Sequence, residues 1–446
     1  MSFPRYPEYK DSGVEWLGEV PGHWKAVPLK TVSTHNDDVL DESTTPDAEI
    51  AYVDISSVDG INGIKTKEDM LFSAAPSRAR RRVKHGDVIV STVRTYLKAI
   101  ARIRDPEENL VVSTGFAVIR PRGELAPDFL GHLVSAGFFV DQVIARSTGV
   151  SYPAINASEL VAIPVPVPPL PEQTQIAAFL DRETAKIDGL VAEQRRLMAL
   201  LKEKRQAVIS HAVTRGLNPH APMKPSGIEW LGDVPGHWEV LPIKRIVSVP
   251  ITDGPHETPN FIDEGVPFVS AEAVSSGSIN FSKVRACISE DDNARFSLKY
   301  APKLHDIYMV KSGATTGITA IVEDRIDFNI WSPLAAIRCN EGSVPHFVLN
   351  FMRSKHFQEA VTLNWSFGTQ QNIGMGVIEN LACTVPPVAE QLEIAQMLKS
   401  ESAKFDTLTT EAQRAIDLLQ ERRTALISAA VTGQIDVRGA HIGAMT

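Results

Sequence analysis

Two stretches of the chain alternate apolar and polar side chains with a helical period and no interruption. From Glu172 to Val213 there is no proline and a single glycine, Gly189. Apolar residues recur at Ile187, Leu190, Leu197, Leu201 and Val208, with Gln194 and Lys204 in the two gaps. This 3/4 alternation predicts one continuous helix with a heptad seam. The same stripe returns at Phe405, Leu408, Ala412, Ala415, Leu419, Arg422 and Leu426. Each stretch follows a proline-containing segment. In the first copy that segment is Ile163-Pro164-Val165-Pro166-Val167-Pro168-Pro169, expected to be extended because proline fixes φ and removes donors. Upstream the period changes. Short β-branched runs (Ala51–Ile55, Asp87–Val90, Leu110–Val112, Ala117–Ile119) stand between Gly, Pro and Asp turns, with a helical stretch near Phe129–Ile144. That pattern reads as a small α+β domain.

The chain is two copies of one plan. Ser12-Gly13-Val14-Glu15-Trp16-Leu17-Gly18-Glu19-Val20-Pro21-Gly22-His23-Trp24 returns from Ser226 to Trp238 with only Val/Ile and Glu/Asp exchanges. Pro168-Pro169-Leu170-Pro171-Glu172-Gln173 returns as Pro386-Pro387-Val388-Ala389-Glu390-Gln391, an offset of 218 residues. A helix of roughly 40 residues is about 60 Å long, more than a domain of roughly 150 residues can cover. Pairing of the two related seams about a two-fold axis, and hence antiparallel, is the expected solution; packing of each helix on its own domain is the alternative. The expected fold is α+β: two tandem α/β domains, each followed by a long helix, the helices forming an antiparallel coiled coil with pseudo-two-fold symmetry. The expected boundaries are 1–165, 166–214, 215–385 and 386–436.

Composition narrows the class. The 446 residues are 43% hydrophobic and 22% charged with a formal net charge of -9, which suits a folded chain of two or three domains. Three widely spaced cysteines, Cys287, Cys339 and Cys383, argue against a disulfide framework and a zinc cluster. No membrane association is expected, since no run of about 18 apolar residues exists and the start lacks a secretory apolar region; a cytoplasmic location is expected. No phosphate loop, GxGxxG, HExxH, GxSxG or Cys/His metal spacing is present, so catalysis is not expected. His23 and His237, beside Trp24 and Trp238, read as structural staples.

The distribution of charge says more than its total. Arg78, Arg80, Arg81, Arg82 and Lys84 crowd into seven residues, and Arg94, Lys98, Arg102 and Arg104 follow against one acid, Asp87. An acidic protein can still present a cationic patch to nucleic acid, because screening beyond about 8–10 Å leaves local charge to dominate. Arginine suits phosphate and guanine; a solvated loop is the alternative. In the second copy Lys311-Ser312-Gly313-Ala314-Thr315-Thr316-Gly317 offers amides and hydroxyls that could hold a phosphate or base edge, or form a plain turn. Gly368-Thr369-Gln370-Gln371-Asn372 carries amides suited to adenine edges, though its counterpart Gly149-Val150-Ser151-Tyr152-Pro153 does not keep them. Candidate DNA contacts are therefore Arg78, Arg80, Arg81, Arg82, Lys84, Thr92, Arg94, Lys98, Lys311, Ser312, Thr315, Thr316, Gln370, Gln371 and Asn372.

The order Glu-Trp-Leu-Gly-x-Val-Pro-x-His-Trp, divergent domain, Pro-Pro-x-x-Glu-Gln and long helix, all repeated, resembles the specificity (S) subunit of type I restriction-modification enzymes over nearly the whole chain. Lys311–Gly317 and Gly368–Ile373 look like that family's recognition-domain loop and pre-helix segment; the first copy departs at both places, with Ser91-Thr92-Val93-Arg94 and Gly149–Ile155. The resemblance implies that each domain reads one half of an asymmetric bipartite double-stranded DNA target while the paired helices set the spacing. It also implies docking of two methyltransferase (M) subunits and, through them, two restriction (R) subunits. S-adenosylmethionine, ATP and Mg would then belong to those partners, with no cofactor on this chain. A stand-alone DNA-binding regulator and a protein scaffold are the alternatives.

Overall fold

The computed structural model describes residues 3–61, 63–274, 277–367 and 371–440. They form two compact units: residues to Gln194 with those from Gln413 on, and Arg195–Ala412. Each unit is one α+β head plus half of each of two long helices, Leu170–Arg215 and Val388–Val431.

The heads share a topology. In the first, a four-stranded sheet runs Ile100–Arg102, Val88–Ser91, Phe116–Pro121, Ser33–His35, every neighbour antiparallel. In the second, the equivalent order is Thr319–Ile321, Ile307–Val310, Leu334–Ile337, Thr252–Asp253. Each head has a second sheet built on a parallel pair, Glu49–Val53 with Leu110–Ser113 in the first and Val266–Val269 with Asn329–Ile330 in the second. The first head adds an edge strand, Ala79–Arg82, which carries three of the clustered arginines. The helical stretch expected near 129–144 is two helices, Pro127–Ser135 and Gly137–Arg146, broken at Ala136, whose ψ of 144° is extended. The proline-rich segments are extended as expected: Pro164–Val167 pairs with Lys25–Pro28, and Ala382–Val385 with Glu239–Pro242.

The repeated Trp-containing anchors staple these pieces. Trp24 is fully buried; its Nε1 donates to Glu172 Oε1 at 3.1 Å, beside Tyr6 Oη at 2.5 Å, while His23 Nε2 lies 2.8 Å from Glu172 Oε2. Glu172 stands in the first helical turn, where a carboxylate also complements the helix dipole. On its other side Trp24 meets the end of the second long helix. Gly433 has φ +74°, and a Cβ there would lie 2.4 Å from Pro21, so only glycine permits the approach. The second unit repeats the arrangement with His237, Glu390, Trp238 and Gly216, except that the buried Trp238 Nε1 has no hydrogen-bond partner among the described residues.

Each head also leans on the helix of the other repeat. Gly137 N donates to Ser428 Oγ at 3.1 Å in the first unit; Lys355 N donates to Ser210 Oγ at 2.8 Å in the second. The apolar core of the first unit joins Trp24, Phe129, Leu133 and Phe139 to Ile176 and Leu180 of one helix and Ile427, Ala430 and Val431 of the other. That of the second joins Trp238, Phe347, Phe351 and Phe357 to Ile209 and Val213 and to Ile394 and Leu398.

The long helices are antiparallel, with Asp188 facing Arg423 and Arg205 facing Asp406. Their seam departs from the expected one. Ile187 and Phe405 are buried, and Leu201, Val208, Leu419 and Leu426 are partly buried. Leu190, Leu197 and Leu408 are instead 47%, 42% and 45% exposed. Val191, Met198 and Arg205 occupy the inner positions, matched by Thr409, Ile416 and Arg423. Both stripes pass through Ile187, Gln194, Leu201 and Val208. The packed one alternates in steps of four then three, and a one-residue shift turns a side chain about 100° around a helix.

Candidate nucleic-acid interface

In both heads the two segments singled out in the sequence meet at the same end of the four-stranded sheet. In the second head, Lys311 follows the strand Ile307–Val310; its N donates to the Pro333 carbonyl, and its own carbonyl accepts from Ile373 N at 2.9 Å. Gly313 N donates to the Gln371 carbonyl at 2.9 Å, and Ser312 bridges Asn372. In the first head Thr92 N donates to the Gly115 carbonyl, Ile155 N to the Thr92 carbonyl, and Arg94 N to the Pro153 carbonyl at 2.8 Å. Arg94 and Gly313 both have positive φ, 51° and 98°. The backbone clasp is therefore the same in the two heads, although the side chains share almost nothing.

The first clasp presents cationic and aromatic groups. Arg94 is exposed, and its guanidinium lies 4.8 Å from the centre of the exposed Tyr152 ring. Tyr96 and Lys98 are exposed beside it, and Lys98 is also left-handed, φ 52°. Neither Arg94 nor Lys98 has an acidic partner among the described residues. Thr92 is buried, with Oγ1 donating to the Gly115 carbonyl, so its side chain is part of the clasp itself. In the second clasp the buried Thr316 donates to the Gly313 carbonyl at 2.8 Å, Ser312 and Thr315 are partly exposed, and Gln371 and Asn372 are exposed. Gln370 lies outside the described residues. Lys311 Nζ turns inward to Asp253 Oδ2 at 3.0 Å.

The arginine cluster divides by strand alternation. Arg81 points into the first head, where it donates to Asn36 Oδ1 and the Phe116 carbonyl, and burial lowers its pKa. Arg80 lies over Phe72 at 4.7 Å, and Arg82 is exposed, 4.0 Å from Asp38. Lys84 binds Asp38 at 2.8 Å, and this hydrogen bond is the main cause holding the Asp38 carboxyl below its usual range. Arg78 is exposed but bonded to Tyr52 Oη and Asp54. Further on, the expected continuous cationic face is interrupted. Arg102 and Arg104 turn to Asp181 of the first long helix at 2.8 and 2.9 Å, joined there by His132 at 2.8 Å. Arg102 reaches Asp181 across Gly131, where a Cβ would lie 2.2 Å from its Nε.

Sequence reasoning passed over Tyr96, Tyr152, Lys299 and His256. The signal for Tyr152 was an aromatic residue between Ser151 and Pro153 in a turn, where no core could cover it. His256 stands three residues after Asp253, whereas Lys299 and Lys311 lie far along the chain from that carboxylate and reach it only through the fold.

Each head therefore packs against a segment of both long helices and carries the same backbone clasp with different side chains. Residues 62–195 match the family model of the type I restriction modification DNA specificity domain. The chain is 22% identical over 438 residues to the type I restriction enzyme EcoKI specificity subunit of Escherichia coli K12, covering 94% of this chain and 90% of that one. It is 22% identical over 446 residues to the putative type I restriction enzyme MjaX specificity subunit of Methanocaldococcus jannaschii, covering 95% and 96%. A chain solved for the structural basis of complex assembly and conformational transition of the type I R-M system shares the fold at TM-score 0.73 with 24% identity, over 95% of this chain and 99% of that one. The HsdS subunit from Thermoanaerobacter tengcongensis shares it at TM-score 0.53 with 23% identity, over 93% and 98%. Over nearly its whole length the chain is thus similar to specificity subunits of type I restriction-modification systems, with the family's DNA specificity domain matched at residues 62–195.

Proposed function

We propose that this chain is the DNA-reading subunit of a type I restriction-modification complex, each head reading one half of an asymmetric bipartite target. The observation that carries this reading is the clasp, one backbone frame at the same sheet end of both heads with Arg94, Tyr152 and Lys98 on one and Ser312, Thr315, Gln371 and Asn372 on the other. A shared frame sets the approach to the duplex, and different side chains read different bases. The helix pair sets the unread gap, and two heads on one chain raise each other's effective concentration on one duplex.

The chain itself is non-catalytic in this reading, and works in the cytoplasm with two methyltransferase subunits and, through them, two restriction subunits. S-adenosylmethionine, ATP and Mg are carried by those partners. Docking on the helices is supported by leucines outside the seam that recur one repeat apart: Leu190 and Leu200 on the first helix, Leu408 and Leu418 on the second, all 45–56% exposed. Exposed leucines at matching positions fit two copies of one partner. Co-expression with the methyltransferase subunit is the test. Co-purification and methylation of a split, asymmetric sequence are expected; a chain that binds DNA but ignores that subunit is a stand-alone regulator, and one that binds no DNA is a scaffold.

A further inference from the structure

At the clasp end of the second head, one buried carboxylate gathers more positive charge than it can cancel. Asp253 ends the edge strand Thr252–Asp253 and is 7% exposed. Lys299 Nζ donates to its Oδ1 at 2.6 Å, Lys311 Nζ lies 3.0 Å from Oδ2, and His256 Nε2 lies 3.1 Å from Oδ2. Burial alone would raise the Asp253 pKa, but the Lys299 and Lys311 hydrogen bonds outweigh it, so the carboxyl sits below its ordinary range. The group is rigidly built. A Cβ on Gly254 would lie 2.0 Å from the Ile330 carbonyl, so the turn after Asp253 is pressed onto the neighbouring strand, and Lys311 is tied through its backbone into the clasp.

One carboxylate cancels one ammonium. The second is in excess, and neither lysine meets another acid among the described residues. Lys311 keeps only 14% of its side chain exposed, so its charge is poorly screened by water. Surplus positive charge held at low exposure costs free energy that a bound anion would offset. Lys299 and His256 remain about half or more exposed, so an anion could reach the cluster from solvent.

We propose that Asp253 assembles Lys299, Lys311 and His256 into a seat for one backbone phosphate of the second half-site. The proposal rests on the DNA-reading function above. Asp253 is a positioning residue in it, touching the lysines and not the DNA, while Lys299 and His256 make the contact. The seat locates the second head on the duplex, and the exposed clasp side chains then face the bases.

The experiment measures affinity of the full chain for its target duplex against salt concentration, the duplex being selected from a random pool, for wild type, Lys299→Ala and Asp253→Asn. Lys299→Ala is expected to lower affinity and to flatten the log–log salt slope by about 0.9, the loss of one phosphate contact. Asp253→Asn adds a net positive charge yet is expected to weaken binding several-fold, because the lysines lose their anchor. Tighter binding by Asp253→Asn, or an unchanged slope in a Lys299→Ala chain that melts like wild type, would overturn the seat. Inorganic phosphate at constant ionic strength is the second arm. Calorimetric binding of it that Lys299→Ala abolishes, while the DNA affinity and salt slope of that variant stay those of wild type, would overturn the assignment to DNA. If wild type itself shows no salt-dependent DNA binding, the broader reading fails with it; if wild type binds and only the variants behave like wild type, that reading stands and the seat alone falls.

Discussion

Arg423 holds Asp188 across the two long helices at 2.9 Å, and one repeat away the same two residue types meet again, Arg205 with Asp406. The offset of 218 residues carries Asp188 onto Asp406 and Arg205 onto Arg423. An aspartate from each helix thus faces an arginine from the other, once in each unit, as antiparallel pairing of two helices of one repeat requires. Arg205 also donates to the Ser402 carbonyl, at 2.6 Å.

This symmetry predicts equal coupling in the two places. Asp188 and Asp406 are well exposed, so each pair is worth about 0.5–1 kcal/mol. Double-mutant cycles with alanine, followed by denaturant unfolding, should give similar coupling energies. Arg423→Asp should destabilise, and adding Asp188→Arg should recover most of the loss.

Arginines adjacent in sequence should separate by function. Arg81→Ala strips partners from the Phe116 carbonyl and Asn36 inside the head and is expected to cost about 1–3 kcal/mol. Arg80→Ala and Arg82→Ala should stay within about 0.5 kcal/mol of wild type while weakening DNA binding. Thermal melts and salt-dependent binding measure the two effects.

Acid should weaken the first unit through His132. Burial pushes its pKa down to about 4, against the Asp181 hydrogen bond that favours the charged form. Unfolded, the ring titrates near 6.5, so below that pH the unfolded chain binds the extra proton and stability falls until about pH 4. The depressed pKa corresponds to a loss of about 3 kcal/mol across that window. Asp181 adds its own loss at lower pH, since its carboxyl is also held below the usual range: burial opposes this, but the His132 bond and Arg102 prevail. His132→Asn, which installs the second repeat's residue at that position (Asn350), should flatten the pH 4–6.5 slope in unfolding experiments.

The two Trp anchors should differ in strength. Glu172 accepts from Trp24, Tyr6 and His23, and Glu172→Ala is expected to cost about 2–4 kcal/mol. Glu390 bonds His237, but the Trp238 indole N–H has no partner among the described residues, so Glu390→Ala should cost about 1 kcal/mol. Comparing the two melting temperatures checks this.

Deleting one heptad from both helices tests the spacing role. Seven residues are about 10.5 Å of helix, or about three base pairs at 3.4 Å each, and a heptad keeps the seam in register. Sequencing of DNA selected by the shortened chain should show the gap reduced by about three base pairs; an unchanged gap would reject the ruler.

Much of this was legible in one dimension, and for a physical reason. A duplicated chain prints its symmetry in the sequence, so the two heads, the two helices and their antiparallel pairing followed from the Trp anchors and the Pro-Pro junctions. Helix length argued against packing on a single head, which stayed the alternative until the structure showed each head against both helices. Tertiary structure decided what depends on direction around an axis or on meetings between distant residues. Leu190 and Val191 are equally apolar neighbours, and the partner helix alone selects Val191 for the seam. Arg81 and Arg82 are identical in type, and the strand's alternation sends one inward and the other to solvent. Asp253, Lys299 and Lys311 carry no motif together; the sheet brings them within 3.0 Å because a buried carboxylate needs its cations wherever in the chain they lie.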